Sequence, residues 1–362
     1  MKILERTNLS KIKRIFEPYE DRKLFHRLDR NEDPVGWDKK NFKNWINSIS
    51  PYDLAAYSDS DILVKKLCDW LKVKTSQIYI TAGSDAAIKN IFEVFIAPNQ
   101  KVILQDPSWR MFEIYCKIYQ AKIIKAKYSA TLEISAQHII DLINKSNAKM
   151  IVLANPNQPT GTIFNKKELT KIFQAAQKNG VIVVVDEAYY LFTEITAIKL
   201  INKFNNIIIV RTFSKAFGLA GLRIGYCVAS SSIIKKIKIL RPVTDSNSLA
   251  IKAALYAINN LKWSKIRIKN VIEARNWLYT SLKNAGIKTY ESHTNFLLFK
   301  CGNTENSKKV IKLIKKKGYL IKGPFDKFPL NSFLRVSIGP LKLMKQFWKD
   351  CGSVITKYND LS

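Results

Sequence analysis

The sequence predicts an α/β fold: a mainly parallel sheet with helices on both faces, joined to a smaller α/β C-terminal domain. Three observations carry this. Between residues 61 and 230 helical patterns alternate with short β-branched runs, the signature of a parallel sheet built from β-α units. Some of those runs are apolar throughout, as in Val181-Ile182-Val183-Val184-Val185, which suits strands buried on both faces. The chain has 362 residues, enough for one large and one smaller domain.

Residues 1–30 are polar and mixed, with a turn at Pro18-Tyr19, and read as an N-terminal arm that packs with the small domain. Residues 31–250 are expected to form the large domain. The amphipathic stretch 61–73 predicts a helix, and 77–81 a strand. Then follow helix 84–97, strand 101–105, helix 108–119, strand 122–126, helix 135–145 and strand 149–154. Helix 166–179, strand 181–186 and strand 206–211 complete the alternation. Residues 247–285 are almost continuously helical in pattern and predict a long connector. Residues 251–362 are thus expected to hold that connector and the small domain, with strands near 294–300, 319–322 and 333–337 and a terminal helix. No internal repeat or low-complexity tract interrupts the chain.

Composition excludes several classes. Hydrophobic residues make up 47% and charged residues 25%, ordinary for a globular protein. No apolar stretch reaches the roughly 18–20 residues that cross a bilayer. The N-terminal residues lack a hydrophobic signal core, so a cytoplasmic location is expected, with no membrane partner. Five scattered cysteines without a Cys-x-x-Cys pair argue against a disulfide framework or zinc site. The three histidines share no ligand spacing, and no metal is expected. The net charge of +31, from 60 Lys and Arg against 29 Asp and Glu, raises nucleic acid or an anionic membrane as partner. The lysines, however, are spread along the chain in short clusters on helical stretches, without a long basic run interleaved with aromatics. Solvated faces account for them better, and a nucleic-acid partner is not expected.

The chemistry gathers where strands are expected to end. Lys215 follows the run ending at Arg211-Thr212 and sits in Ser214-Lys215-Ala216-Phe217-Gly218, with Arg223 eight residues further on. A lysine in a desolvated, cationic site loses its proton readily and forms Schiff bases. Asp186 ends the strand 181–186 and would sit buried beside a ring nitrogen, with Tyr189 three residues on. Such a carboxylate keeps a pyridine ring protonated and electron-withdrawing. A lysine, a strand-end aspartate, a tyrosine and an arginine together point to pyridoxal 5'-phosphate. Gly83, Ser84 and Asp85 turn from a strand into a helix whose open N–H groups suit a phosphate, although the same residues serve as ordinary capping. Thr212, Ser214 and Arg223 could complete the phosphate shell. Trp109 either stacks on the ring or belongs to the core. The rigid turn Asn155-Pro156-Asn157-Gln158-Pro159-Thr160-Gly161 offers amides to a phenolic oxygen and a substrate carboxylate.

With these motifs in order, the chain resembles fold-type I pyridoxal-phosphate aminotransferases, and within them the histidinol-phosphate aminotransferases. The matching segments also include Leu28–Pro34, Tyr57-Ser58-Asp59 and Phe333–Gly339, so the resemblance spans nearly the whole chain. It implies the aspartate aminotransferase-like fold. It implies Lys215 as the Schiff-base lysine and proton shuttle, Asp186 on the ring nitrogen, Tyr189 on the phenolic oxygen, and Trp109 on the ring face, where the family usually has tyrosine. Gly83, Ser84, Asp85, Thr212, Ser214 and Arg223 are implied on the cofactor phosphate, and Tyr57 on that of a second subunit, hence a homodimer. Arg335 would clamp the substrate carboxylate, with Lys322, Tyr19 and Asn31 as further substrate contacts.

Two positions depart from the family pattern. Gln158 stands in place of the asparagine before Pro-Thr-Gly, so the phenolic oxygen is met by Gln158, by Asn157 or by Tyr189 alone. Lys322 stands where the histidinol-phosphate enzymes have an arginine, giving a point charge rather than a fork. The expected activity is transamination of a small phosphorylated amine or keto compound, with glutamate or another amino acid as partner. The alternatives are a decarboxylase of a phosphorylated amino acid, similar to threonine-phosphate decarboxylases, and a basic nucleic-acid-binding protein.

Overall fold

The computed structural model describes residues 9, 10, 12 and 21–359; Pro18 and Tyr19 lie outside the described residues. Its elements begin with β1 (His26–Arg27), α1 (Lys39–Ile46), α2 (Tyr52–Ala55), α3 (Asp61–Leu71), β2 (Ile78–Thr81), α4 (Gly83–Phe95), β3 (Lys101–Asp106) and α5 (Arg110–Ile118). There follow β4 (Lys122–Lys127), α6 (Ala136–Ser146), β5 (Met150–Ala154), α7 (Lys166–Lys178), β6 (Ile182–Asp186), β7 (Ile207–Thr212), β8 (Gly225–Ala229), α8 (Ser231–Ile237) and α9 (Ser248–Asn259). The chain continues through α10 (Leu261–Asn284), β9 (Phe296–Lys300), α11 (Thr304–Lys316), β10 (Tyr319–Leu320), β11 (Phe333–Ser337) and α12 (Leu341–Asn359).

Seven strands make one sheet in the order β2-β8-β7-β6-β5-β3-β4. Its pairs are parallel except those of β8, which runs antiparallel to both β2 and β7. The apolar runs are continuous because each strand is covered twice. Ile207 and Ile209 of β7 pack into the core shared with α3, α6, α7 and α9. Ile208 and Val210 point the other way, into the core with α4, α5 and α8. Each such fully buried branched side chain contributes about 1.5–3 kcal/mol.

Local signals set the helix ends. Asn165 accepts hydrogen bonds from Lys167 N and Glu168 N, while Glu168 accepts from Asn165 N, a reciprocal cap that starts α7. The helical run expected over 247–285 divides at Asn260, whose φ of −109° and ψ of 43° are not helical. Strands β1 and β8 and helices α1 and α2 add to the elements read from the sequence. β8 begins with a glycine and is five residues long, so its own pattern is weak.

A separate core joins Leu28 to α10, α11, α12, β9 and β11. There β9 and β11 pair antiparallel, and β1 pairs in parallel with β10. Among the described residues no helix is long and apolar enough to cross a membrane, and no cluster of metal-ligating side chains occurs.

Candidate active site

Strands β2, β3, β5, β6 and β7 end at the same edge of the sheet, because β2 runs opposite to β8, which itself opposes β7. In open α/β sheets that edge is where ligands sit. Here the strand ends enclose a cavity with about 690 Å³ of atom-free space, part of it open to solvent.

One wall carries the amine and the acid. Lys215 lines the cavity, and its Nζ donates to the Arg30 carbonyl at 3.1 Å. Loss of solvent, then the nearby Arg335 charge, bring its ammonium down to about 8 against the partial counterweight of Asp85 and Glu32. Asp186, at the end of β6, also lines the cavity and is 7% exposed. The recorded donor to its carboxylate is the Ala188 N–H, at 3.0 Å. Burial pushes this acid up to about 7. Among the described residues it forms no ion pair, and the Lys215 charge is only a partial counterweight, so a buried carboxylate beside the cavity suits a cation from a ligand.

The second wall is an anion cradle. Helix α4 starts without a side-chain cap, leaving its first N–H groups open toward Ser84 and Asp85. Gly83 has φ +80°, and a Cβ there would lie 2.7 Å from Arg223 Nη2, so glycine admits the guanidinium to the helix start. Thr212 Oγ1 donates to Ser214 Oγ at 2.9 Å, and Arg223 Nη1 donates to the same oxygen at 3.3 Å. Arg223 Nη2 also meets Asp85 Oδ2 at 3.3 Å. Trp109 lines the cavity and braces edge-on against Phe112, with centroids 5.2 Å apart.

Gln158 and Tyr189 line the cavity together. Tyr189 Oη donates to Gln158 Oε1 at 2.6 Å and accepts from Asn31 Nδ2 at 2.9 Å. Burial pushes the Tyr189 phenol up to about 12, with Arg335 and Asn31 acting in the other direction. Asn157 does not reach the cavity. It is fully buried, donating to Pro107 O and Thr160 Oγ1 and accepting from Ser108 Oγ at 2.7 Å.

Arg335 stands behind this wall on β11. It is buried, donates from Nη2 to Asp29 O at 2.7 Å, and its Nε has no partner among the described residues. Lys322 is exposed and exchanges both backbone hydrogen bonds with Arg335, so the two residues face each other across adjacent segments. Asn31 lies outside the cavity lining, its amide engaged with Tyr189 and Gln158. Tyr57 is 88% exposed and away from its own chain's cavity.

Sequence reasoning overlooked several contributors. The carbonyls of Asp29 and Arg30, which receive Arg335 and Lys215, leave no side-chain signal. Ser337, whose Oγ accepts from the Asn31 N–H at 2.9 Å, was legible in principle, because it lies two residues beyond Arg335 and so on the same face of β11.

The residue pattern of the family "Aminotransferase class I and II" matches residues 29–349. The chain is 36% identical over 290 residues (79% of its length, 82% of the relative's) to the histidinol-phosphate aminotransferase of Thermoanaerobacter sp. (strain X514). It is 30% identical over 329 residues, 90% of each protein, to that of Clostridium novyi (strain NT). In fold it is similar to the crystal structure of histidinol-phosphate aminotransferase from Sinorhizobium meliloti in complex with pyridoxal-5'-phosphate, with a TM-score of 0.88, 21% identity and 98% of each chain covered. A pattern that runs from residue 29, next to the Arg30 carbonyl that receives Lys215, to beyond Arg335 covers the ends of β2, β3, β5, β6 and β7, and the chain belongs to the class I and II aminotransferases.

Proposed function

We propose that this chain is a pyridoxal-5'-phosphate-dependent aminotransferase that acts on histidinol phosphate or a closely similar phosphorylated amine, with an amino acid such as glutamate as the other partner. The observation that carries it is the pairing of Lys215 with Asp186 in one cavity. The first is an amine brought to about 8, and the second is a buried acid pushed up to about 7, with no ion pair among the described residues. The residues present fit the cofactor. Asp186 would hold its ring nitrogen, Trp109 its ring face, and Ser84, Asp85, Thr212, Ser214 and Arg223 its phosphate, with Gly83 admitting Arg223. Gln158 and Tyr189 would meet its phenolic oxygen.

When bound, the cofactor supplies an aldehyde that condenses with amines and a protonated ring that draws electrons from a substrate Cα. The chain's own residues do the rest. Lys215 Nζ, neutral above about pH 8, takes the proton from the substrate Cα and holds it. Asp186, as carboxylate, keeps a proton on the ring nitrogen. Arg335, whose Nε is unpartnered among the described residues, takes the carboxylate of the amino-acid partner. Lys322 contributes a point charge to the phosphate of the other substrate.

The same proposal divides the chain into an arm over 1–30, a cofactor-binding domain over 31–250 and a small domain over 251–362. It also includes a cytoplasmic homodimer. Tyr57, Tyr52, Leu54, Ile239 and Val243 are between 70% and 89% exposed, an apolar surface that suits a second subunit. Five buried free thiols suit a reducing compartment.

The test incubates the purified protein with pyridoxal phosphate, histidinol phosphate and 2-oxoglutarate. Glutamate formation without carbon dioxide supports transamination. Stoichiometric carbon dioxide from a phosphorylated amino acid, with no amino transfer, would replace it with decarboxylation.

A further inference from the structure

Lys322 and Arg335 close the base of a hairpin whose far end is held by the seven-stranded sheet. At the base, Lys322 N donates to Arg335 O at 2.9 Å and Arg335 N to Lys322 O at 2.7 Å. The far end turns at Lys327, whose carbonyl accepts from the Leu330 N–H at 2.8 Å. The Lys327 side chain reaches across to the sheet. Its Nζ pairs with Glu113 in the first turn of α5, and with Oδ1 of Asp106, at the end of β3, at 3.4 Å. Lys125 Nζ holds the other Asp106 oxygen at 3.0 Å, so that carboxylate is already placed for Lys327. A lone surface pair contributes little, but charges in such a network contribute more. A second contact crosses beside the first. Leu132, in the turn after β4, has φ +61° and is 2% exposed. A positive φ is disfavoured for a bulky side chain and persists where the surroundings impose it. The turn is tied by Ser129, whose N–H donates to Glu133 O at 2.9 Å and whose Oγ accepts from the Thr131 and Glu133 N–H groups. Leu132 thereby enters an apolar socket made by Leu298 of β9, Leu330 of the hairpin and Phe333 of β11. The other members of that cluster all come from residues 290–333.

From these two contacts we infer that Lys327 and Leu132 are positioning residues for the substrates. They clasp the hairpin between Lys322 and Arg335 to the wall that carries Trp109, and so fix how far Arg335 and Lys322 stand from that wall. This rests on the reading of Arg335 and Lys322 as substrate contacts given above. Neither Lys327 nor Leu132 lines the cavity, so their influence runs through the hairpin. Trp109 is the residue that begins α5, four positions before Glu113, and it does line the cavity. The wall itself does not depend on the clasp, because Phe112, Tyr115 and Cys116 seat α5 in the core of the sheet. The hairpin does depend on it. Held at both ends, it presents Arg335 and Lys322 at one distance from Trp109; held only at its base, it hinges there.

The experiment uses the holoenzyme and three readings: KM and kcat with histidinol phosphate and 2-oxoglutarate, backbone hydrogen exchange of residues 323–332, and the hold on pyridoxal phosphate by equilibrium dialysis. Lys327→Met is expected to raise KM for both substrates roughly two- to five-fold, the range that a partly exposed ion pair supplies, with kcat within about two-fold. Hydrogen exchange in the hairpin should be several-fold faster, and the hold on pyridoxal phosphate unchanged. Lys327→Glu, which sets like charges together, should do more. Adding Glu113→Lys to it should bring KM and hydrogen exchange back toward the parent, a rescue that lost packing alone would not give. In a Glu113→Gln background, Lys327→Met should add less than it does alone. Leu132→Asn, which tolerates the positive φ but cannot fill the socket, should act in the same direction as Lys327→Met. Unmoved hydrogen exchange in both Lys327→Met and Leu132→Asn overturns the proposal, as does a charge-swapped pair no better than Lys327→Glu. A loss of pyridoxal phosphate that parallels the change in KM overturns it too, because α5 rather than the hairpin would then be what moves. If the parent does not turn over histidinol phosphate, the substrate reading fails, and hydrogen exchange decides the clasp by itself. Turnover with faster hairpin exchange but an unmoved KM sinks the positioning role alone.

Discussion

Glu187 and Arg211 form a buried ion pair that joins the ends of β6 and β7 directly behind the cavity. Arg211 Nε and Nη2 donate to Glu187 Oε2 at 2.9 and 2.8 Å, and both side chains are at most 2% exposed. Thr196 Oγ1 and the Ala197 N–H complete the carboxylate's shell, and the guanidinium lies 3.7 Å from the Tyr190 ring. Each partner is the chain neighbour of a site residue, Asp186 in one case and Thr212 in the other. Removing one member leaves the other charge buried alone. Arg211→Met is expected to cost about 3–5 kcal/mol in urea unfolding, while the double replacement Glu187→Leu with Arg211→Met recovers much of that.

Lys215 should react as a weakly basic amine. Its ammonium is brought down from 10.5 to about 8 by burial and by Arg335. At neutral pH its neutral fraction is then about two orders of magnitude above that of an ordinary lysine. Borohydride-trapped attachment of pyridoxal phosphate, located by peptide mass spectrometry, should rise through about pH 8 and level off above it. Lys215→Ala should abolish both attachment and turnover; full turnover in that variant would remove the mechanism proposed for this lysine.

Asp186 links cofactor to stability. Its folded-state value near 7 lies above its value of 3.8 in an unfolded chain. The folded apoprotein therefore holds the proton more tightly than the unfolded chain does. This contribution is fully present below about pH 4 and is lost as pH rises through about 7, by at most about 4 kcal/mol. Thermal unfolding of the apoprotein between those limits should show the decline, and Asp186→Asn should flatten it. Added pyridoxal phosphate should stabilise the parent at pH 7.5 and the asparagine variant much less.

Much of this was legible in the sequence because the two signals coincide. Strands covered on both faces must be apolar throughout, so β5, β6 and β7 announce themselves, and the residues immediately after them are then candidates by position. Lys215, Asp186, Tyr189, Gln158 and the Ser84–Arg223 cradle are found lining one cavity. What stayed hidden depends on backbone atoms and on distant pairing. β8 lacks a long apolar run because it opens on a glycine beside α4. The carbonyls of Asp29 and Arg30 carry no side-chain information. Asn157 and Gln158 are neighbours of similar chemistry, and only the folded turn shows which of them is occupied by Pro107 and Thr160.

Gly225 illustrates the β8 point and can be tested. A Cβ there would lie 2.6 Å from Ser84 N and 2.7 Å from Arg211 O, both backbone atoms that have no rotamer to escape into. Gly225→Ala should push β8 away from the start of α4. The expected result is about 1–3 kcal/mol lower stability and a several-fold weaker hold on pyridoxal phosphate, read by equilibrium dialysis, with the lysine still reactive.

The contacts of Asn31 with Ser337 and of Asp29 with Arg335 each span 306 residues. They dictate the order of events at the ribosome. The seven strands lie within residues 78–229 and the buried residues packed on them within 45–258, so this core and the Lys215 wall can form while the chain is still being made. The ceiling of the site waits for β11, which begins more than 100 residues after β8 ends. Such distant closures are the slow steps of folding. A nascent chain stalled before residue 333 would therefore present an accessible Lys215 without Arg335 beside it.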